Sequence, residues 1–276
     1  MKTHSLKSSI QTSFDVAAHS YNNNAHVQER IAEDNLREFA QLDRADLALL
    51  VDLGCGTAKA NKVLANCAHA YLGLDLSRKM LLEGKRSSIR ANTHHCSNWI
   101  QGDLESLPFQ DKSVDAFYSS MALQWCTSTL TFIKEVKRCL KPKGSATFAL
   151  MVDGSFSEVH KAWQNLNMSS RLNTFTSEAQ WLETAKMFDW HVTSTVRNYI
   201  TEHDSLLNLL RSVKSVGANI KSQPQVQQCS ASKQKQGFIS RAELRDLEFE
   251  LTRHNAAQAF ELSYRVLFLT IQNKDK

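Results

Sequence analysis

Three aspartates that could bind a nucleotide-like ligand each stand at or near the end of an apolar segment. Asp52 lies in the apolar segment 47–53, Asp75 ends the segment 71–75, and Asp103 follows a third such segment. Short apolar segments bounded by turn residues predict β-strands. An acidic residue at the tip of the second strand is placed to bind the two hydroxyls of a ribose. The three aspartates therefore indicate one ligand site at the carboxyl edge of a sheet.

A glycine-bearing turn, Val-Asp-Leu-Gly-Cys-Gly-Thr-Ala-Lys over residues 51–59, contains the first of these aspartates. Backbone N–H groups at such a turn allow a ligand to come very close. Dinucleotide-binding proteins use Gly-x-Gly-x-x-Gly, but here the third position is Lys59, which argues against pyrophosphate binding. The form Asp-x-Gly-x-Gly-Thr instead resembles the first motif of class I S-adenosylmethionine-dependent methyltransferases. For this turn alone, a strand-to-helix connection that binds no ligand stays the alternative.

That resemblance carries further expectations about single residues. The family usually has a third glycine where this chain has Ala58; since alanine tolerates the first turn of a helix, we expect only a small loss of clearance. Asp103 is expected to accept a hydrogen bond from the adenine amino group, and Leu104 to pack on the adenine ring. The segment 121–125, which ends in Trp125, is expected to lie under the methionine part of the cofactor.

Strands and helices alternate along the first half of the chain, which predicts a parallel sheet. Strands are predicted near 48–53, 70–75, 97–101, 114–120 and 145–151, and helices near 26–42, 58–67, 78–90 and 128–140. The second half predicts helices near 155–167, 177–187 and 204–217, a helix opened by a capping box at Ser240–Glu243, and strands at 190–200 and 264–271. Residues 1–13 are polar and are predicted to be frayed.

We therefore predict an α/β fold: a Rossmann-like, seven-stranded class I methyltransferase sheet with helices on both faces. A helical lid is inserted in its C-terminal half. Three regions are predicted, namely an N-terminal flap and helix (1–42), an S-adenosylmethionine-binding α/β core (43–152), and the C-terminal part of the sheet with the lid insertions (153–276).

The bulk composition is that of a soluble globular protein. The 276 residues are 42% hydrophobic and 22% charged, and no segment approaches the roughly 20 apolar residues of a membrane helix. The N-terminus has no apolar segment of the kind found in signal peptides. Six scattered cysteines without a Cys-x-x-Cys pair favour reduced thiols and a cytoplasmic location. Because the cluster His94-His95-Cys96 has no evident partner cluster, we expect no metal site.

The charge is unevenly distributed. The net charge is +5, and the stretch from Ser205 to Arg241 has six Lys or Arg and no Asp or Glu. Arg211 and Lys214 are three residues apart on a predicted helix, so they share one face. This stretch predicts a positive surface for an anionic partner. A solvated face followed by a mobile loop at 223–236 is the alternative.

Longer motifs narrow the resemblance to one family. Similarity to the malonyl-acyl carrier protein O-methyltransferases of biotin synthesis extends from about Ser13 to Ile271. It is carried by the segments 14–21, 123–126, 140–144, 154–158 with Trp163, 210–218 and 262–264. The segment 210–218 discriminates most, because related methyltransferases differ most in this lid region.

This resemblance implies methyl transfer from S-adenosylmethionine to the free carboxylate of malonyl-acyl carrier protein, an acidic protein partner. A carboxylate is already ionised at neutral pH, so no general base is needed. The residues expected to bind the cofactor are Asp52, Gly54, Cys55, Gly56, Asp75, Leu76, Met80, Asp103, Leu104, Ser119 and Gln124. The residues expected to act on the acceptor are Tyr21, Trp125, Arg211 and Lys214. The two basic residues would serve the malonyl carboxylate, the phosphopantetheine phosphate or the acidic carrier protein, and the sequence leaves these three roles open.

Two other functions stay open at this stage. The first is a small-molecule methyltransferase of the same fold that acts on a free carboxylic acid or a quinone precursor. The second is a catalytically silent protein that binds a cofactor or nucleic acid through the basic stretch. RNA-directed relatives usually have Asn/Asp-Pro-Pro-aromatic after the fourth strand, where this chain has Ser119-Ser-Met-Ala. We therefore expect no nucleic-acid partner, and no membrane partner either.

Overall fold

The described part of the chain forms one twisted sheet with helices packed against it. The computed structural model describes residues 2–18, 26–42, 46–90, 92, 97–168, 170, 172–215, 240–253 and 259–274. Within these residues the seven strands lie in the order β3-β2-β1-β4-β5-β7-β6. The predicted α/β architecture is thus confirmed.

The first four strands are parallel, and they match the predicted positions closely. They are β1 (Leu47–Leu53), β2 (Ala68–Asp75), β3 (Ser97–Gln101) and β4 (Val114–Ser120). The chain moves outward from β1 through β2 to β3 and then returns to place β4 on the other side of β1. This reversal of direction creates a crevice at the carboxyl edge between β1 and β4.

The last three strands complete the sheet with one antiparallel insertion. β5 (Leu140–Met151) is parallel to β4, whereas β7 (Phe260–Asn273) runs antiparallel between β5 and β6 (Trp190–His203). β5 begins before the predicted strand, since Pro142 and Lys143 lie within it and the register shifts near its start. The long central strands carry the main core, in which Phe117, Phe132 and Phe148 are fully buried.

Helices α1 to α5 belong to the first half of the chain. They are α1 (Lys2–Ala17), α2 (His26–Ala40), α3 (Asn61–Leu64), α4 (Arg78–Arg90) and α5 (Thr129–Cys139). The prediction that residues 1–13 are frayed is wrong, because α1 is a helix with Ile10 only 5% exposed on one face. The predicted helix 58–67 is also too long; residues 58–60 instead continue the glycine turn.

Helices α6 to α9 belong to the second half. They are α6 (Ser157–Asn165), α7 (Glu178–Lys186), α8 (Leu206–Ser215) and α9 (Arg241–Thr252), and the predicted capping box at Ser240 opens α9. Residues of α6, α8 and α9 share a second core cluster with Val27 and Ile31 of α2 and with Met121 after β4. Among the described residues, no helix has the length and apolar character needed to cross a bilayer.

Candidate active site

A cavity of about 400 Å³ opens at the carboxyl edge of the sheet, where the crevice between β1 and β4 lies. Its walls come from the turn after β1, the tip of β2, the segment after β3 and the segment after β4. Two helices from the N-terminal region, α1 and α2, close the remaining sides. The volume and the mixed apolar and polar lining are typical of a site for a small organic ligand.

The glycine turn after β1 has the conformation that the motif predicts, with one exception. Gly54 and Gly56 have φ of +67° and +53°, the left-handed region that glycine occupies without strain. The N–H groups of Gly54 and Cys55 both donate to the Leu74 carbonyl, at 2.7 and 3.0 Å. Ala58, however, also has a positive φ of 56°. The expectation that it continues a helical first turn is wrong, and the chain tolerates a left-handed alanine there.

Open space next to Gly56 supports a ligand that approaches the backbone. A Cβ built at Gly56 would meet no atom of the protein within 4 Å, although this residue lines the cavity. A Cβ at Gly54 would lie 2.2 Å from the Cβ of Ala122. The two glycines therefore serve different purposes: Gly54 allows the turn to pack against the segment after β4, and Gly56 leaves room in the cavity.

Asp75 is held at the tip of β2 by two backbone groups. Its Oδ2 accepts a hydrogen bond from the N–H of Gly56 at 2.9 Å, and its Oδ1 accepts one from the N–H of Ser77 at 2.8 Å. Burial raises the pKa of Asp75 to about 6. Each oxygen retains a lone pair, so the carboxylate can accept two further hydrogen bonds, as the two hydroxyls of a ribose would require.

Asp52 is more deeply buried, with 3% of its surface exposed. Its Oδ2 accepts a hydrogen bond from the Tyr71 hydroxyl at 2.8 Å. Burial raises the pKa of Asp52 to about 7, an effect that this hydrogen bond only partly offsets. A positive charge in the cavity would stabilise the ionised form and lower this pKa again.

Helix α1 covers the cavity near Asp103. Its residues Lys7, Ile10 and Phe14 lie on one helix face and line the cavity. The Lys7 ammonium is 2.5 Å from Asp103 Oδ2 and 2.7 Å from Glu105 Oε2. Asp103 is the predicted acceptor for an adenine amino group, and in this structure the Lys7 ammonium occupies a hydrogen-bond donor position on its carboxylate.

Helix α2 forms another wall of the cavity, and its residues were not among the site residues predicted from the sequence. Asn35 Nδ2 donates to the Ser119 carbonyl at 2.9 Å, and the Tyr118 hydroxyl donates to the Ala32 carbonyl at 3.2 Å. These bonds fix α2 against the end of β4. As a result, Gln28, Ala32 and the other residues on this face reach the cavity. The signal in the sequence that could have indicated this face is the four-residue spacing of Gln28 and Ala32 on an amphipathic helix.

Most of the predicted site residues meet at this cavity. Ten of them line it: Asp52, Gly54, Cys55, Gly56, Asp75, Leu76, Met80, Asp103, Leu104 and Trp125. Ser119 and Gln124 do not form part of its wall. The Ser119 hydroxyl is fully buried and donates to the Leu53 carbonyl at 2.7 Å, and the Gln124 amide donates to the Met121 carbonyl at 2.7 Å. Ser120 and Met121 line the cavity in their place.

Arg211 and Lys214 lie on the exposed face of α8 and are not part of the cavity wall. The opposite face of α8 is buried, as the helical periodicity predicts. Within the part of the chain that the structure describes, no carboxylate forms an ion pair with either cation. The remaining residue expected to act on the acceptor, Tyr21, lies outside the described residues, as do His94-His95-Cys96 and the stretch 216–239.

The cavity has a strongly acidic lining. Six carboxylates line it: Glu29, Glu33, Asp52, Asp75, Asp103 and Glu105. The two lining cations are Lys7 and Lys59, and each of them is paired with one or more of these carboxylates. In addition, Phe14 and Trp125 meet edge to face, with ring centroids 5.9 Å apart. Acidic groups and aromatic faces together favour a cationic ligand.

Comparison with known proteins agrees with this architecture. The family description "Methyltransferase domain" matches residues 51–148, the part of the chain that provides the glycine turn and the three aspartates. The structure of geranyl diphosphate C-methyltransferase from Streptomyces coelicolor, solved with S-adenosyl-L-homocysteine, superimposes with a TM-score of 0.52 at 14% identity. The match covers 88% of this chain and 79% of that one. The fold and the matched domain define a class I methyltransferase.

Two curated relatives identify the family. Malonyl-[acyl-carrier protein] O-methyltransferase from Erwinia pyrifoliae is 32% identical over 270 residues, which are 97% of this chain and 94% of that protein. The protein of the same name from a Marinomonas species is 32% identical over 272 residues, with the same coverage of both chains. The chain belongs to the malonyl-[acyl-carrier protein] O-methyltransferase family.

Proposed function

We propose that this protein transfers a methyl group from S-adenosylmethionine to the free carboxylate of malonyl-acyl carrier protein. The observation that carries the proposal is similarity to this family over nearly the whole chain, together with an acidic cavity around the matched motifs. The product is a methyl ester of the malonyl thioester, which would enter biotin precursor synthesis. The acyl end of this product no longer carries the negative charge of the carboxylate, so it suits the apolar pockets of the enzymes of fatty-acid synthesis.

The described residues fit the methyl donor. S-adenosylmethionine, when bound, supplies an electrophilic methyl group on a cationic sulfur. Asp75 would accept hydrogen bonds from the ribose hydroxyls, and Asp103 with Leu104 would hold the adenine. Gly56 leaves room for the donor beside the turn. The acidic lining favours the sulfonium.

The acceptor needs alignment and not proton transfer. A malonyl carboxylate is ionised at neutral pH, so one of its oxygens can attack directly. The O–CH3 bond forms as the S–CH3 bond breaks, and the electron pair stays on sulfur. The enzyme must hold oxygen, carbon and sulfur nearly in line and exclude water. Trp125 lines one wall of the cavity, and we expect it to limit access of water. Tyr21 remains a prediction for orienting the acceptor or shielding the methyl group.

The exposed face of α8 is proposed as a docking surface for the acidic carrier protein. Ser212 of α8 contacts the Tyr264 hydroxyl at 2.9 Å. Tyr264 lies in β7, two residues before Val266. Val266 pairs with Met151, the last residue of β5. Helix α8 therefore lies at the same edge of the sheet as the cavity. Arg211 and Lys214 act there as docking cations and not on the reacting atoms.

The test is a methyl-transfer assay with malonyl-acyl carrier protein, malonyl-coenzyme A and free malonate compared side by side. We expect methyl ester to form fastest on the carrier-bound substrate. Transfer to a free carboxylic acid or a phenol, with none to a malonyl thioester, would instead favour the small-molecule methyltransferase. Restoration of growth in a biotin auxotroph by the intact gene, and not by a Gly56→Ala gene, would be an independent check.

Two further expectations accompany this function. We propose that residues 1–42 form a cover, 43–152 bind the methyl donor and 153–276 complete the sheet and contribute the acceptor lid. We also infer that the enzyme acts in the cytoplasm. The described cysteines Cys55, Cys67, Cys126 and Cys139 are all free thiols, which suits a reducing compartment.

A further inference from the structure

Three described side chains that line the cavity have a buried polar atom without a partner, namely Gln28, Ser120 and Trp125. The Ser120 hydroxyl can donate or accept, whereas the unpaired atoms of Gln28 and Trp125 each have one role only. The side-chain oxygen of Gln28 and the indole nitrogen of Trp125 are shielded from solvent and make no hydrogen bond. Both residues line the cavity, Gln28 from α2 and Trp125 from the segment after β4. Buried polar atoms without partners are rare in folded proteins, and each one needs an explanation.

The two carboxylates assigned to the adenosine, by contrast, do have hydrogen-bond partners. Asp75 and Asp103, at the end assigned to the adenosine, accept hydrogen bonds from backbone groups or from Lys7. Gln28 itself is only 8% exposed, although it lies in the first turn of α2 beside a wide opening. The unmet hydrogen-bonding capacity of the described cavity lining therefore belongs to Gln28, Ser120 and Trp125 and not to the carboxylates assigned to the adenosine.

The chemistry of the two atoms is complementary to an α-amino acid group. The amide oxygen of Gln28 only accepts hydrogen bonds, and the indole N–H of Trp125 only donates them. An α-ammonium group has donors, and an α-carboxylate has acceptors. The malonyl group has no donor that could satisfy Gln28. A donor that carries a methionine end, by contrast, presents both groups.

We propose that Gln28 and Trp125 form the subsite for the amino acid end of the methyl donor. Gln28 accepts a hydrogen bond from the α-ammonium group, and Trp125 donates one to the α-carboxylate. This inference rests on the proposed function, because it assumes an S-adenosyl ligand, and it names two residues that position this ligand. The sulfonium would then be fixed from both sides, by Asp75 through the ribose and by Gln28 through the amino acid.

The experiment compares two ligands that differ only in the amino acid end. S-adenosylhomocysteine carries the ammonium and carboxylate, whereas 5′-methylthioadenosine lacks both. We expect Gln28→Leu to weaken binding of S-adenosylhomocysteine about 10- to 100-fold by calorimetry, the loss typical of a hydrogen bond to a charged group. Binding of methylthioadenosine should change less than about twofold. Trp125→Phe should give the same selective pattern while keeping an aromatic ring at this position.

Two variants separate this role from a structural one. Gln28→Glu retains an acceptor and adds negative charge, so it should bind S-adenosylhomocysteine as tightly as the wild-type chain or more tightly. Gln41→Leu removes an exposed glutamine just beyond the other end of α2 and should change neither affinity. The melting temperature of ligand-free Gln28→Leu should not fall, because the substitution removes a buried amide oxygen that has no partner.

Three outcomes would overturn the proposal. Equal loss of both ligands in Gln28→Leu would indicate a general effect on the cavity. Unchanged affinity for S-adenosylhomocysteine, with a raised KM for the malonyl substrate, would assign Gln28 to the acceptor. Loss of binding in Gln28→Glu as large as in Gln28→Leu would exclude the ammonium contact. Both probes bind without an acceptor, so a failed methyl-transfer assay would refute the proposed function without deciding this one.

Discussion

The two glycines of the turn should respond very differently to the same substitution. Gly54 and Gly56 both have positive φ, at +67° and +53°. Their surroundings differ, since a Cβ at Gly54 would lie 2.2 Å from the Cβ of Ala122, whereas a Cβ at Gly56 would meet no protein atom within 4 Å. We therefore predict that Gly54→Ala destabilises the fold strongly and that Gly56→Ala leaves it nearly intact.

The expected magnitudes follow from two terms. A left-handed conformation costs an L-residue about 1–2 kcal/mol, and the stiffer unfolded chain of alanine offsets about 0.4–1 kcal/mol of this. Gly56→Ala should thus lower the free energy of unfolding by about 0–1.5 kcal/mol. In Gly54→Ala the contact with Ala122 must widen to about 3.5 Å. Such overpacking adds about 1–3 kcal/mol.

Urea denaturation of both variants measures these values, and a compensating substitution tests their origin. Ala122→Gly removes the atom that a new Cβ at Gly54 would strike, so the double variant should regain about 1–3 kcal/mol relative to additivity. Strict additivity of the two substitutions would refute the steric argument. Gly56→Ala, although folded, should lose most of its affinity for S-adenosylhomocysteine, because the new methyl group enters the cavity. Undiminished binding by Gly56→Ala would show that the ligand does not approach this turn.

Three further predictions concern charged groups. Burial raises the pKa of Asp52 to about 7, so the ligand-free fold loses stability as the pH rises from about 4 to about 7. At pH 8, calorimetry should therefore give a higher melting temperature for Asp52→Asn than for the wild-type chain. The same difference in melting temperature at pH 4 as at pH 8 would contradict this. Lys7→Met should tighten 5′-methylthioadenosine binding several-fold, because it frees Asp103 for the adenine amino group, while lowering the melting temperature of the ligand-free chain; weaker binding would mean that Lys7 supports the ligand. Arg211→Gln combined with Lys214→Gln should raise the KM for malonyl-acyl carrier protein about tenfold and leave kcat and the rate with malonyl-coenzyme A unchanged; an equal effect on both substrates would argue against docking.

The sequence predicted the sheet and its acidic edge because both depend on local patterns. Apolar segments alternating with amphipathic ones define parallel strands, and the carboxyl ends of parallel strands must meet at one edge. Asp52, Asp75 and Asp103 therefore had to lie close together once the strands were assigned. The faces of α8 could be predicted in the same way, since Leu209 and Val213 are buried while Arg211 and Lys214 are exposed. Periodicity assigns a residue to a face, but it gives no distance to another element.

Features that depend on distant contacts were missed. Helix α1 has a largely polar sequence, and only the spacing of Lys7, Ile10 and Phe14 shows the face that covers the cavity. Gln28 would be placed in solvent by its polarity, yet α2 is fixed so closely to β4 that this side chain is buried. The left-handed φ of Ala58 is set by the turn as a whole, and alanine at that position gives no sign of it.

The charges of the cavity suit the two substrates in a definite order. The acidic lining that favours a sulfonium also repels a malonyl carboxylate, since the two lining lysines are already paired with carboxylates. Once a cation occupies the cavity, it supplies the positive charge that the acceptor needs at the reacting atoms. Strong hydrogen bonds to the acceptor carboxylate would lower its nucleophilicity. The scarcity of hydrogen-bond donors on the described cavity wall is therefore an advantage for the reaction. Under the proposed docking on α8, the positive charge of Arg211 and Lys214 lies outside the cavity wall, so it would attract an acidic carrier protein without stabilising the carboxylate against reaction.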